Sequence, residues 1–159
     1  MTKISLKDSA ADFSQDCSKD ASKDFSFSIR VYWEDTDAGS IVYYANYLKF
    51  FERARSEWLR QLGVEQGALF SEGCMFVVSE IQTKFHLPAR IDDLLAITVR
   101  VEKLGHASLY LHQTAFIQTI NTNKPTSRLV CEGNVRLAYV QKNSMRPTAI
   151  PKSIVSLIN

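Results

Sequence analysis

The stretch RVYWEDTDAGSIVYYANYLKFFERARSEWL, Arg30 to Leu59, runs an acidic cluster into a glycine, a pair of tyrosines and a long amphipathic segment. Tyr47, Phe51, Ala54, Trp58 and Leu62 recur at three- and four-residue steps, the spacing of one helix face. Leu48, Arg55 and Leu59 widen or flank that face, Asn46 is placed to cap the helix, and Gly63 is placed to end it. A stripe made mostly of aromatic rings needs a broad apolar surface over it.

Downstream lie four long segments rich in β-branched and aromatic residues: 75–87, 94–104, 107–120 and 127–141. Upstream, Phe27, Ile29 and Val31 alternate with polar neighbours as in a half-buried strand. The short links Pro88 to Asp93, Gly105-His106 and Asn121 to Pro125 suit antiparallel pairing of successive strands. The segment after Pro151 suits a short final helix. One helix facing one antiparallel sheet is an α+β layer architecture.

The chain has 159 residues, enough for one domain and a sizeable core. Its net charge of +2, without a basic tract, argues against nucleic acid as a partner. No apolar run is long enough to span a bilayer, and the first 25 residues lack the apolar centre of a signal peptide. The three cysteines, Cys17, Cys74 and Cys131, form neither a C-x-x-C pair nor a disulfide framework, which suits a reducing cytoplasm. Residues 1–25, rich in Ser, Asp and Lys, are expected to be a disordered extension, with the folded domain at 26–159. A thin stripe through Leu6, Ala10, Phe13, Cys17 and Ala21 is the alternative sign of a helix there, opposed by aspartates stacked at four-residue intervals.

The Arg30–Leu59 stretch resembles the signature of the 4-hydroxybenzoyl-CoA thioesterase group of hotdog-fold enzymes. It is most similar to the YbgC-like acyl-CoA thioesterases associated with the Tol-Pal system. In that signature an aspartate, then a glycine two residues on, precede the long helix that the sheet wraps; Asp37 and Gly39 hold those places. The likeness continues through FHLPARIDDLL, GHASL and RPTAIPKSIV, covering about residues 27–157. Many YbgC-like enzymes carry His where this chain has Tyr44, whereas the 4-hydroxybenzoyl-CoA enzymes resemble it in having Tyr. The resemblance implies a hotdog fold with one central helix and five antiparallel strands. It also implies a homodimer or homotetramer, a cytoplasmic enzyme, and hydrolysis of acyl-CoA or acyl-carrier-protein thioesters without cofactor or metal.

Thioester hydrolysis needs an attacking oxygen and a counter-charge for the developing oxyanion. Asp37 can supply the first, as a base on water or as a nucleophile. The helix start can supply the second through the backbone N–H of Tyr44, because the first amides of a helix lack internal partners. Gly39 removes a side chain where backbone, carboxylate and ligand crowd together. Tyr43 and Tyr47 have two readings, as walls of an acyl pocket or as core packing. Ser108 matches a recurrent family serine that meets ligand at a subunit boundary, or is a plain strand-end hydroxyl. Glu34 and Asp35 read as solvated turn residues, and Glu52 and Glu57 as ion-pair partners of Arg53, Arg55 and Arg60.

The histidines, with His106 and His112 about 20 Å apart if they share one strand, read as structural or surface groups and not as metal ligands. Lys84, Arg90, Lys103, Lys142 and Arg146 are the cations available for coenzyme A phosphates. The competing function is a non-catalytic hotdog scaffold recruiting acyl carrier protein or envelope-biogenesis partners. A dehydratase would need a His-carboxylate motif that is not recognisable here.

Overall fold

The computed structural model describes residues 25–118 and 127–158. The expected disordered extension lies outside the described residues, apart from Phe25, which already belongs to the first strand. In chain order the elements are β1 (Phe25–Arg30), a single 3-10 turn (Trp33–Asp35), α1 (Asn46–Gln61), α2 (Gln66–Ser71), β2 (Cys74–Phe85), β3 (Leu94–Leu104), β4 (Ser108–Gln118), β5 (Ser127–Gln141) and α3 (Lys152–Ile158). The strands form one five-stranded sheet in the order β1-β3-β4-β5-β2, every neighbouring pair antiparallel.

That order corrects the expectation of successive pairing. β3, β4 and β5 do pair in succession, but β2 crosses to the far edge of β5, and β1 takes the free edge of β3. The segment 86–93 does not close a hairpin; it passes over the start of α1. His86 N–H donates to Val130 O (2.8 Å), Ala89 O accepts from Val42 N–H (2.9 Å), and Asp93 O accepts from Val31 N–H (2.9 Å). Pro88, with no N–H to give a ladder, sits inside this crossing.

The aromatic stripe of α1 decides the layer. Tyr47, Phe51, Ala54 and Trp58 are buried as expected, and Phe50 and Leu59 complete the face, whereas Leu48 points outward. Phe50 lies one step off the expected stripe and is fully buried, with its ring against Tyr47, so more than one stripe of the helix is covered. Opposite it, β4 alternates strictly, with Leu109, Leu111, Gln113, Ala115 and Ile117 inward. Helix and sheet come close at Gly133, where a Cβ would stand 2.9 Å from Phe51 Cε2 and 3.3 Å from Thr83 Cγ2. Truncating a ring such as Phe51 to Ala in a core of this kind costs about 3–5 kcal/mol. The chain leaves α1 through Gly63 at φ 81°, the terminator expected there.

One polar brace crosses this apolar interface. Gln113, with 0% exposure, accepts from the Arg55 guanidinium (2.8 Å) and donates to the Phe51 carbonyl (3.1 Å). Arg55 is therefore turned into the core and is not part of a surface ion-pair set. Burial lowers its pKa from the ordinary value. Of the expected helix pairs, Glu57–Arg60 forms, while Glu52 accepts from the Ser56 hydroxyl at 2.7 Å. On the opposite sheet face, His86 pairs with Glu132 (2.9 Å) and His112 with Asn134 (2.9 Å), while His106 lies in the β3–β4 turn.

Replacing Gln113 by Leu fills the same space but strips the buried guanidinium of its acceptor. The expected outcome is a loss of about 2–3 kcal/mol of unfolding free energy, read as a lower urea midpoint with an unchanged slope.

Candidate active site

Between β1 and α1 the chain doubles back on itself. Thr36 and Val42 form an antiparallel bridge, Asp37 N–H donates to Ile41 O (3.0 Å), and Tyr43 N–H donates to Asp35 O (2.9 Å). The tip is a turn in which Ser40 N–H returns to Asp37 O (2.9 Å), with Ser40 in the left-handed region at φ 58°. Within it, Asp37 Oδ1 accepts from Gly39 N–H at 2.8 Å. A Cβ on Gly39 would stand 3.0 Å from that same Oδ1, so a larger residue would displace the carboxylate it helps to hold. Asp37 itself is exposed.

Asp35 differs from the expected solvated turn residue: it is 6% exposed, and its Oδ2 accepts from Tyr32 N–H (2.9 Å). Asn46 also differs from its expected place. The residue flanking α1 is Ala45, which offers no side-chain cap, and Asn46 is already helical. The Asn46 side chain is buried and donates from Nδ2 to Asp35 O at 2.9 Å, away from the helix amides. Among the described residues, the amides of Tyr44 and Ala45 meet no protein acceptor. A carboxylate on a fixed turn and uncapped amides at a helix start thus lie on one short loop.

Aromatic rings flank this loop. The Tyr43 and Tyr44 rings lie 4.6 Å apart, and Tyr44 meets Phe85 edge-on at 6.4 Å. Tyr44 is 62% exposed and Phe85 48%. Hydrogen bonding of the Tyr43 hydroxyl to the Tyr44 phenol is the main cause that raises the Tyr43 phenol above its ordinary pKa, with the Asp37 charge a lesser one. Tyr47 is buried; its hydroxyl accepts from Ala89 N–H at 3.2 Å and its ring packs on Phe50 and Phe85.

The fold therefore gathers Asp37, Gly39, Tyr43 and Tyr44, and uses Tyr47 as their footing. Ser108 stands apart within the chain. It opens β4 beside Gly105, whereas the loop lies by the other end of β4 near Ile117, about 30 Å along the strand. Phe85 is a neighbour of this loop that the sequence reading did not place there. Its signal was the aromatic-x-x-Pro-Ala connection, but only the crossing of β2 to β5 brings it next to Tyr44.

Among the described residues, surface grooves of about 420, 440 and 470 Å³ occur elsewhere, one beside α2 and two over the sheet, and Asp37 lines none of these. Among the described residues no helix is long and apolar enough to cross a membrane.

A sequence model of the thioesterase-like superfamily matches residues 31–158. The chain is 41% identical to the acyl-CoA thioester hydrolase YbgC of Escherichia coli O6:H1, over 83% of this chain and 93% of the relative. It is 39% identical to the acyl-CoA thioesterase YbgC of Haemophilus influenzae, over 82% and 90%. Among solved structures, a 1,4-dihydroxy-2-naphthoyl-CoA thioesterase from Synechocystis superposes with a TM-score of 0.76 at 16% identity, covering 86% of this chain and 96% of that one. That likeness shows the shared fold.

The turn tolerates loss of the Asp37 charge, because an amide oxygen can still accept from Gly39 N–H. Asp37→Asn is expected to melt within about 2 °C of the unsubstituted protein by circular dichroism.

Proposed function

The chain belongs to the thioesterase-like superfamily, and from that membership we propose that it hydrolyses acyl-CoA thioesters at the loop between β1 and α1. In this reading the Asp37 carboxylate delivers the attacking oxygen. As a base it takes a proton from water as the water oxygen bonds to the acyl carbon; as a nucleophile it bonds there itself, and water then cleaves the mixed anhydride. The carbonyl oxygen gains negative charge as the carbon becomes tetrahedral. The uncapped Tyr44 and Ala45 amides, at the positive end of the α1 dipole, offset that charge. The C–S bond then breaks and the sulfur takes a proton, in the base course the one Asp37 removed from water. In the nucleophilic course this break forms the anhydride, and the water that afterwards hydrolyses it supplies the proton, so that free acid and thiol leave.

The observation that carries this reading is the pairing of an exposed carboxylate, one oxygen of which is held by Gly39, with uncapped amides a few residues on. Tyr44 stands where many relatives have His; acting through its backbone N–H, it needs no imidazole. Tyr43, Tyr44 and Phe85 supply the apolar surface for the acyl end of the substrate.

Among the described residues Asp37 is left exposed, and this reading assigns an outer wall for the site to a second copy. β2 is an edge strand with Val78 exposed at its register shift, a row of unpaired backbone groups that a partner strand would cover. A homodimer joined there, or a tetramer built from two such dimers, would let Ser108 of one subunit reach the neighbouring site. Acyl carrier protein is the second thioester carrier to be tried, and the cytoplasm and the Tol-Pal envelope system are the setting this reading takes.

Thiol release from a panel of short-chain, long-chain and aromatic acyl-CoA substrates tests the reaction. The protein is expected to turn over part of the panel, and Asp37→Asn to lose about 10²- to 10⁴-fold in kcat while staying folded. Full turnover by that variant would remove Asp37 from the chemistry. An inert protein that nevertheless retains acyl carrier protein on a column would favour the scaffold reading. In sedimentation, Val78→Lys is expected to shift the protein toward monomer and to reduce turnover with it; a fully active monomer would refute the shared site.

A further inference from the structure

Two halves of the proposed site, the Asp37 carboxylate and the uncapped Tyr44 and Ala45 amides, sit on separate arms of one loop. Something must set the gap between them. Among the described residues, one side-chain hydrogen bond ties the arms together, from Asn46 Nδ2 to Asp35 O at 2.9 Å. The bond is buried, with Asn46 5% exposed and Asp35 6%. The Asp35 carbonyl is a double acceptor, since it also takes the Tyr43 N–H at 2.9 Å. Asp35 is held in turn by its own Oδ2 on Tyr32 N–H. From there the bridge between Thr36 and Val42 and the bond from Asp37 N–H to Ile41 O carry the position forward to the carboxylate.

The choice of asparagine is informative. At a helix start, Asn ordinarily turns its oxygen onto the first amides and caps them. Here its NH₂ group faces the opposite way, toward the loop, and α1 begins without a side-chain cap. Asn46 thus adds a buried side-chain tie between two arms that backbone hydrogen bonds also join.

We infer that Asn46 is a positioning residue for thioester hydrolysis. It touches no reacting atom; with the backbone bonds of the loop, it holds the Asp37 carboxylate and the Tyr44 and Ala45 amides at a fixed separation through the Asp35 carbonyl. The inference rests on the reading of Asp37 and those amides as the site.

Asn46→Asp is nearly isosteric and puts an acceptor where the donor was, so two oxygens face each other. Misplacing reacting groups by about 1 Å can cost about 10²-fold. The expected result is therefore a kcat lowered about ten- to hundredfold, with KM for acyl-CoA within about twofold. The introduced carboxyl is buried against a carbonyl, so its proton is held above the ordinary range, and the protonated form can donate. The kcat deficit is accordingly expected to narrow as pH falls from about 8 to 6. Asn46→Ser, which withdraws the reach of the amide without adding charge, is expected to lower kcat with KM retained; it decides the matter if Asn46→Asp does not fold.

A folded variant that turns over at the unsubstituted rate, or that loses activity through KM alone, overturns the inference, as does failure of both variants to fold. Asp37→Asn is assayed alongside. If it is inactive while Asn46→Asp is fully active, the positioning role alone fails; if it is active, the underlying site assignment fails.

Discussion

An aromatic helix cannot be left in water, and the rest of this molecule follows from covering α1. Phe50 and Phe51 are adjacent and both fully buried, so the cover must wrap more than one stripe of the helix. The order β1-β3-β4-β5-β2 provides a surface wide enough, with β3, β4 and β5 at its centre and the chain of 86–93 drawn across the helix start to join the two sides. Burial of a ring of this size contributes about 1.5–3 kcal/mol, larger than a typical net hydrogen bond at about 1 kcal/mol, and so sets the architecture.

Polar groups then fit within that arrangement. Arg55 and Gln113 are enclosed midway along α1, where the guanidinium is satisfied by a neutral amide that also meets the helix carbonyl of Phe51. Asn46 and Asp35 are enclosed at the helix start, where another side-chain amide meets a loop carbonyl. In each case the side chain binds the helix to a neighbouring element at one defined depth. Apolar packing by itself permits sliding; a buried donor and acceptor left apart would each be unsatisfied, which penalises other registers.

The candidate site occupies the place where these constraints converge. The crossing segment holds Val42 and Tyr47 through Ala89, so the loop carrying Asp37 is supported from below by core residues while its tip stays open. An exposed carboxylate beside uncapped amides is costly only if it is later enclosed without a partner. In the proposed reaction a substrate carbonyl oxygen would take the free amides, while the carboxylate would meet water or the acyl carbon.

Much of this was legible in the residues themselves. The helix, β3 and β5 followed from local period and composition, and the Asp37–Gly39 turn from its signature, because each depends on neighbours a few positions away. Other features were not. Asn46 has the composition of a cap, and only the approach of the Asp35 carbonyl turns its amide toward the loop. Asp35 carries a charge that predicts exposure, yet the folding back of 35–43 buries it. Phe85 became a neighbour of Tyr44 because β2 pairs with β5 and not with β3. The sequence by itself determined which segments are helix and strand and which residues must leave water, since those depend on local periodicity and side-chain chemistry. Tertiary structure alone decided strand order and the direction of each polar side chain, since those depend on which distant backbone groups need a partner.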